Sequence, residues 1–549
     1  MPARPLPSLL ALLTAVLLLL PASGRADGTV VLPGLAEPQE WPSLIGDRGG
    51  VTLLYRTPGS RVGALHLDAN GLPDAGPGFD PFPSPVTLES AGAVRSLLLP
   101  DSALVLLTES SRGTDPVGVR WSYRPSTGFT HTYATPFPMR APVAVRGRNG
   151  RIVMLSKQSE SGTFWTLRSA VFASNGTVVS ARELPSTLQF FDSDRMEGCT
   201  DGAGGLLAVV PYFDGVASGS KDFGIFRVQY DGSLPWGERL RPFILGARDQ
   251  TELRVLSDGQ GGAFAAWTDA RAFVAGRSTD LYAIRVDSTG GRVPGWSFYG
   301  TIVCDGMGAQ SDPRLCADGQ GGAWIVWWDR RSSPDGDLRY TRVLGNGRLA
   351  PGFTLAGAVL CDAPGAQREH AVVGDGAGGC FVVWRDERSG DADLYAMHLL
   401  ASGTPAPGWE TNGRPVCIAP GAQDQPAIGN VLTGRAVVAW RDLRTGTAQL
   451  RTAILDAPGT LDAPGPVATG PRVRALGTGA RAVRVSLSAA GEAELEWWDV
   501  SGRQVGHERL TGPVSDRVVP LSDGLAAGLY FVRVRQGGAE DRARVIVTR

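Results

Sequence analysis

A chain of 549 residues exceeds what one non-repetitive core organises, and 73 glycines with 39 prolines against 19% charged residues exclude a mainly helical protein. A hydrophobic fraction of 43% excludes wholesale disorder, and a net charge of −1 carries no general attraction to nucleic acid or to an anionic membrane. Positive charge is almost all arginine, with Lys157 and Lys221 the two lysines, which reads as compositional bias and not as an anion-binding device.

Residues 1–26 have the layout of a secretory signal peptide: Arg4 near the start, an apolar run over 9–20, then Pro21 and the small residues Ala22, Ser23, Gly24 and Ala26. Twelve apolar residues rise about 18 Å as a helix, short of a hydrocarbon core of about 30 Å. No later stretch approaches 18 apolar residues, so no transmembrane segment is expected in the mature chain. The expected location is extracellular or on an outer-membrane surface.

The 28–455 region is repetitive. An Asp-Gly turn followed by an apolar strand and a Trp-x-Asp-x-Arg exit spans 258–271, 318–331 and 375–388, with a worn copy at 431–444. The turn aspartates Asp201, Asp258, Asp318 and Asp375 are spaced by 57, 60 and 57 residues. Weaker starts near 47, 101 and 149 bring the count to eight repeats. Such a period indicates a propeller or a solenoid. In the best copy four strands are predicted, over 313–317, 323–328, 337–344 and 354–361. The second is apolar on both parities and must be covered on both faces. The last repeat has three strands, over 425–429, 435–440 and 448–454, while residues 29–32 resemble an outermost strand. The reading is therefore an all-β fold, an eight-bladed (alternatively seven-bladed) β-propeller sealed by its own first strand, followed by a small immunoglobulin-like β-sandwich.

Each recurring residue has a structural reading. Asp-Gly supplies the turn, and Gly262, Gly322 and Gly379 allow close backbone approach. Trp267, Trp327, Trp384 and Trp440 are large enough to fill the space between sheets, at about 2–3 kcal/mol each. At the exits Asp269, Asp329, Asp386 and Asp442 would cap the turn, and Arg271, Arg331, Arg388 and Arg444 would pair with a carboxylate of the neighbouring blade.

Chemistry-bearing motifs are sparse. The pairs Asp335/Asp337 and Asp391/Asp393 could hold Ca²⁺, though no complete calcium loop is present, and no other cofactor is implied. The five histidines form no metal-binding spacing, and no nucleophile elbow or phosphate loop occurs. The repeats do not match the Ser-x-Asp-x-Gly-x-x-Trp turn of sialidase-like propellers. The six cysteines, Cys199, Cys304, Cys316, Cys361, Cys380 and Cys417, read as small buried residues, with Cys304, Cys361 and Cys417 each six before a glutamine (Gln310, Gln367, Gln423). On this basis the chain is expected not to be an enzyme but a binding propeller with a protein or glycan partner. The alternative is a secreted carbohydrate-active enzyme, which predicts two or three acidic residues from different blades converging at one mouth of the channel.

A Pro/Gly-rich linker over 456–470 leads into a different pattern. Seven short strands fit 471–549: 472–476, 482–488, 493–500, 504–510, 517–521, 529–535 and 543–548. The run Trp498-Asp499-Val500-Ser501-Gly502-Arg503, then Gly528-Leu529-Tyr530-Phe531-Val532-Arg533-Val534 within 524–534, and a basic strand ending at Arg549, resembles the C-terminal type A sorting domain of the type IX secretion system. That family overlaps the FlgD-like immunoglobulin-type domains. The resemblance implies roles for Asp499, Gly502, Arg503, Gly528 and Tyr530 in the sorting motif, and secretion machinery as a partner. The usual terminal lysine is replaced by Arg549. The repeats themselves resemble the Asp-Gly-x-Gly-Gly…Trp-x-Asp-x-Arg tandem repeats of secreted bacterial proteins, which imply no activity.

Overall fold

The computed structural model describes residues 29–30, 40–46, 50–57, 61–69, 71, 86–87, 95–98, 104–107, 119–124, 128–133, 139–158, 165–173, 177–184, 190 and 195–212. It further describes 222–244, 250–271, 277–456, 461–462, 472–475, 482–521, 525–537 and 539–547. The expected leader 1–26, the turn at 47–49, Asp101 and most of the 456–470 segment lie outside these residues. The described residues fall into two compact units, 29–462 and 472–547. Among them, no helix is long and apolar enough to cross a membrane.

The first unit is a β-propeller. Four-stranded antiparallel sheets follow one another along the chain, each starting with its innermost strand: Glu40–Gly46, Arg95–Leu98, Met139–Arg146, Glu197–Thr200, Gln250–Ser257, Gly308–Ala317, Gln367–Gly374 and Gln423–Leu432. The sheets starting at Gln250 and Gly308 are joined by a short parallel pairing of Arg277 with Gly308 and Thr279 with Ala309. The last sheet has three strands of its own, Gln423–Leu432, Arg435–Asp442 and Gln449–Asp456. Its outer partner comes from the start of the chain, with Thr29 opposite Thr452 and Val30 opposite Arg451. Gly429 lies against Leu44 and Val51 of the first sheet, so the two ends of the repeat array meet. Beyond the last strand, Leu461 and Asp462 pair back onto Leu455 and Ile454.

Burial explains why the second strand of each repeat is apolar on both parities. In Ala323–Asp329, Ala323, Ile325 and Trp327 join a core shared with Phe264, Ala266, Leu281 and Val303 of the preceding sheet. Trp324 and Val326, on the other parity, join a core shared with Phe381, Val383 and Trp384 of the following sheet. The predicted four strands are present with shifted ends. The first extends over Gly308–Ala317, because it begins with a bulge, and the fourth shortens to Ala358–Cys361. Residues 354–357 form a turn in which Gly357 (φ +66°) donates its N–H to the Thr354 carbonyl; a side chain there would run into the Trp327 ring.

The second unit holds five antiparallel strands, Arg472–Ala475, Ala482–Asp499, Gln504–Pro520, Gly528–Gln536 and Ala539–Val547. Seven short strands are predicted from the sequence; two pairs of them run on as long bent strands. Register breaks at Leu487 and Gly491 (φ +119°) mark the bend in the first. Its first half pairs with 472–475 and 517–520, its second half with 504–511 and 530–536. Both layers close on one core of Val473, Val483, Val485, Leu495, Trp497 and Val534.

His370, on the innermost strand Gln367–Gly374, is 2% exposed and its Nε2 lies 3.2 Å from the Val326 carbonyl of the neighbouring sheet. Burial pushes this imidazole down to about 4 from an ordinary 6.5, outweighing the pull of Asp312. The folded state thus holds a neutral ring that the unfolded chain protonates below about 6.5. Its contribution is intact above that pH and declines as pH falls from 6.5 through 4, by up to about 1.4 kcal/mol per pH unit. Urea denaturation at pH 7 and pH 4.5 should show this acid loss, and a His370→Gln variant should show a flatter profile over the same window.

Candidate functional site

The strand exits form one repeated cluster. Each tryptophan Nε1–H donates to the aspartate two residues on: Trp267 to Asp269 at 2.8 Å, Trp327 to Asp329 at 2.9 Å, Trp384 to Asp386 at 2.8 Å and Trp440 to Asp442 at 3.2 Å. The same carboxylates accept the backbone N–H of Arg271, Arg331, Arg388 and Arg444 at 2.8, 3.0, 3.0 and 3.1 Å. They also pair with those guanidiniums at 2.5–2.8 Å. All four tryptophans and aspartates are buried.

The arginine partner differs from expectation. Each arginine pairs with its own blade's aspartate, because a guanidinium two residues beyond a buried carboxylate folds back onto it across the turn. What reaches the neighbouring blade is the other edge of the fork. Arg331, Arg388 and Arg444 donate Nη2–H to Sγ of Cys304, Cys361 and Cys417 at 2.8, 3.1 and 2.9 Å, each cysteine lying on the outer strand of the preceding sheet. Burial pushes the Cys304 and Cys361 thiols up to about 12, so they stay protonated. All six cysteines are free thiols.

At the opposite end of the second strands the Asp-Gly turns are a second lock. Oδ1 of Asp258 accepts the N–H groups of Gln260 and Gly262 at 2.8 Å, and Oδ1 of Asp318 those of Gln320 and Gly322 at 2.8 Å. Oδ2 takes a third-strand arginine, Arg285 on Asp258 and Arg342 on Asp318, which also donates to the next blade's Gly345 or Ala401 carbonyl. In the following blade His398 replaces that arginine, 2.9 Å from Asp375. Exits and turns together are fully engaged in holding the scaffold.

A different set of residues stands open at the rim. The innermost strands of successive blades lie side by side, and each clear one begins with a β-bulge. At the bulge a non-glycine residue takes a left-handed backbone: Glu252 (φ +53°), Asp312 (φ +50°), Glu369 (φ +52°) and Gln425 (φ +53°). Three equivalent positions in neighbouring blades therefore carry carboxylates. Glu252 and Glu369 are exposed and Asp312 half-buried. Oε2 of Glu252 accepts the Asp312 N–H at 2.6 Å and the Thr268 hydroxyl at 2.8 Å, and Oε2 of Glu369 accepts the Gln425 N–H at 2.7 Å. Asp312, one methylene shorter, pairs with Arg254 at 3.4 Å and Arg314 at 3.0 Å. Burial, with Arg314 nearby, pulls the Arg254 guanidinium below its usual value.

These acids sit at the end of the sheets where the exits also lie, since Gln250 pairs with Asp269, Gln310 with Asp329 and Gln367 with Asp386. On the same face a cavity of about 460 Å³ is lined by Gly308, Ala309, Arg330, Arg331, Ser332, Ser333 and Pro334. The rim acids are absent from the sequence-based site expectations. Their signal is the recurring Gln-x-acid: Gln250-Thr251-Glu252, Gln310-Ser311-Asp312 and Gln367-Arg368-Glu369.

The other expected residues are placed as follows. Asp335 and Asp391 are exposed while Asp337 and Asp393 are buried, so neither pair turns both carboxyls to one point. Burial pushes the Asp337 and Asp393 carboxyls up, and Asp393 accepts the Ser389 hydroxyl. Among the described residues no group of three or more His, Cys, Asp or Glu is placed to hold a metal ion. In the second unit Asp499 accepts N–H groups from Ser501 at 2.9 Å and Arg503 at 3.2 Å, with Arg503 Nε at 3.1 Å and Gly502 at φ +80°. The Ser501 hydroxyl, first among these, holds the Asp499 carboxyl below its usual value. The Tyr530 hydroxyl donates to the Ala526 carbonyl at 2.9 Å, and Gly528 opens the strand Gly528–Gln536.

No protein-family model matches the chain, and no curated protein matches it. Solved structures with a similar course of the chain include the BP39L lectin from Burkholderia pseudomallei, at 12% identity and TM-score 0.41, covering 68% of this chain and 97% of the lectin. A PL25 ulvan lyase shares 11% identity at TM-score 0.39, covering 69% of this chain and 95% of the lyase. An α-L-arabinanase from Penicillium chrysogenum shares 12% identity at TM-score 0.33, covering 66% and 99%. Several of the similar structures carry the names of carbohydrate-active enzymes, and the expectation that this chain is not an enzyme is withdrawn. It rested on the lack of contiguous catalytic motifs, and a site assembled from separate blades leaves none.

The scaffold role of the exits is testable. Asp329→Ala would leave the Trp327 indole N–H and the Arg331 guanidinium buried without their acceptor, which costs about 3–5 kcal/mol. Chemical denaturation should show a loss of that size, whereas a scaffold-neutral ligand site would show almost none.

Proposed function

We propose that the propeller is a carbohydrate-active protein working at the rim of bulged innermost strands. The observation that carries this reading is the trio Glu252, Asp312 and Glu369, three carboxylates at equivalent positions of three successive blades, each on a left-handed backbone. Holding an acidic residue in that conformation costs of order 1 kcal/mol, and such strain collects at functional sites, as do β-bulges. Carboxylates from separate strands at one opening are what glycosidic cleavage employs. One acid protonates the departing oxygen and a second acts as base or nucleophile. The inter-blade hydrogen bonds of Glu252 and Glu369 fix their positions before any ligand arrives.

The test is turnover of a panel of polysaccharides, read by release of reducing ends and by absorbance of unsaturated products. Glu252→Gln, Asp312→Asn and Glu369→Gln each keep one acceptor oxygen and so should keep the fold by circular dichroism. At least two of them should lose about 10²–10⁴-fold in rate. Full activity in all three variants would refute the assignment.

We also propose that the leader 1–26 exports the chain and that 471–549 is a sorting domain of the type IX, FlgD-like kind, delivering the propeller to the outside of the cell. The support is the motif over 498–503 and 524–534 together with the two-layer unit it folds into. Deleting 472–549 should retain the propeller in the periplasm, read by protease accessibility of intact cells; unchanged surface exposure would count against a sorting role.

A further inference from the structure

One blade breaks the repeat beside the rim. The residue after the buried tryptophan is matched by a partner in the other clear blades: Thr268 donates to Glu252, Arg385 pairs with Glu387, and Arg441 makes two bonds of 2.7 Å to Asp424. In the blade of Trp327 the corresponding residue is Trp328. The guanidinium carbons of Arg330 and Arg368 lie over its ring, 5.3 and 4.8 Å from the centroid. Both arginines are exposed, and neither has an acidic partner among the described residues.

The arrangement is built and not incidental. The Trp328 Nε1 is buried without a hydrogen-bond partner. Gly336, at φ +86°, lets the loop close over the indole edge, where any Cβ would overlap Nε1. Arg330 is further tied by its Nε to the Pro334 carbonyl at 3.1 Å and by its backbone N–H to the Ala309 carbonyl at 2.9 Å. It lines the cavity of about 460 Å³ with Ser332 and Ser333, while its neighbour Arg331 is neutralised by Asp329. Of the acids on the neighbouring strand, Glu369 accepts from the Gln425 N–H. Guanidiniums lying over an aromatic face are preorganised, and two of them without a carboxylate attract an oxyanion. Among the described residues of the four clear blades, two arginines lying over one indole occur in this blade alone.

We infer that Arg330 and Arg368, held on Trp328, bind an anionic substituent of a carbohydrate chain, a uronate carboxylate or a sulfate ester, and so select acidic polysaccharides. This rests on the carbohydrate reading above and names the substrate class for it.

The experiment is calorimetric titration of the full chain with oligogalacturonate, a sulfated galactan oligosaccharide and a neutral galactan oligosaccharide, at two salt concentrations. The expected result is salt-sensitive binding of one or both acidic probes, at least about tenfold tighter than the neutral probe, with the stronger of the two deciding between carboxylate and sulfate. Arg330→Ala and Arg368→Ala should each lower acidic-probe affinity about tenfold and leave neutral-probe affinity unchanged. Trp328→Thr, the choice of the Trp267 blade, should do the same. If it unfolds, the two exposed arginines decide alone. Equal affinity for acidic and neutral probes, or acidic binding untouched by both arginine variants, overturns this inference and leaves the carbohydrate reading standing. Absence of binding and of turnover for every glycan overturns both.

Discussion

The propeller depends on a buried carboxylate at the exit of each clear second strand. Asp329 takes the Trp327 indole N–H, the Arg331 backbone N–H and the Arg331 guanidinium together. A tryptophan large enough to fill the space between two sheets brings a polar N–H into that space, and an unpaired N–H there would be costly. The aspartate satisfies it, and the arginine satisfies the aspartate. The spare donor of the fork then touches the cysteine of the preceding blade, so the device that solves a local burial problem also ties sheet to sheet.

With exits and turns so occupied, the positions the scaffold leaves open lie elsewhere. The bulge at the start of each clear innermost strand is such a position. It inserts a residue that the ladder does not use, and its left-handed backbone turns that residue out of the sheet. Where the residue is Glu252 or Glu369, the side chain reaches the N–H of the equivalent residue one blade on. The rim therefore has its own order, made of groups that belong to different blades. Trp328 with Arg330 and Arg368 interrupts that order at one place.

Much of this was readable beforehand. The two-sided apolar strand at 323–328, the Asp-Gly turns and the three-stranded last repeat each announce a local geometry, and the pairing of Thr29 and Val30 with Thr452 and Arg451 completes the last sheet. Other readings gave way to local geometry. Arg331 folds back onto Asp329 and meets Cys304, and strands 482–488 and 493–500 run through as one, since a bend with register breaks looks like an end in a hydrophobic pattern. Nothing in the propensity of glutamate signals a positive φ at Glu252 or Glu369.

The amino-acid order alone determined the repeating unit, its hairpins and its buried tryptophans, because those contacts join residues a few to some twenty-five positions apart and leave a period in the composition. Which carboxylates share the rim, which cysteine meets which arginine and where two unpaired guanidiniums lie on one indole were decided by the tertiary structure. The contacts that cross between blades join residues 27 apart for Arg331 and Cys304 and 60 apart for Glu252 and Asp312. They depend on the angle and spacing at which one twisted sheet stacks on the next, a quantity that no single repeat encodes.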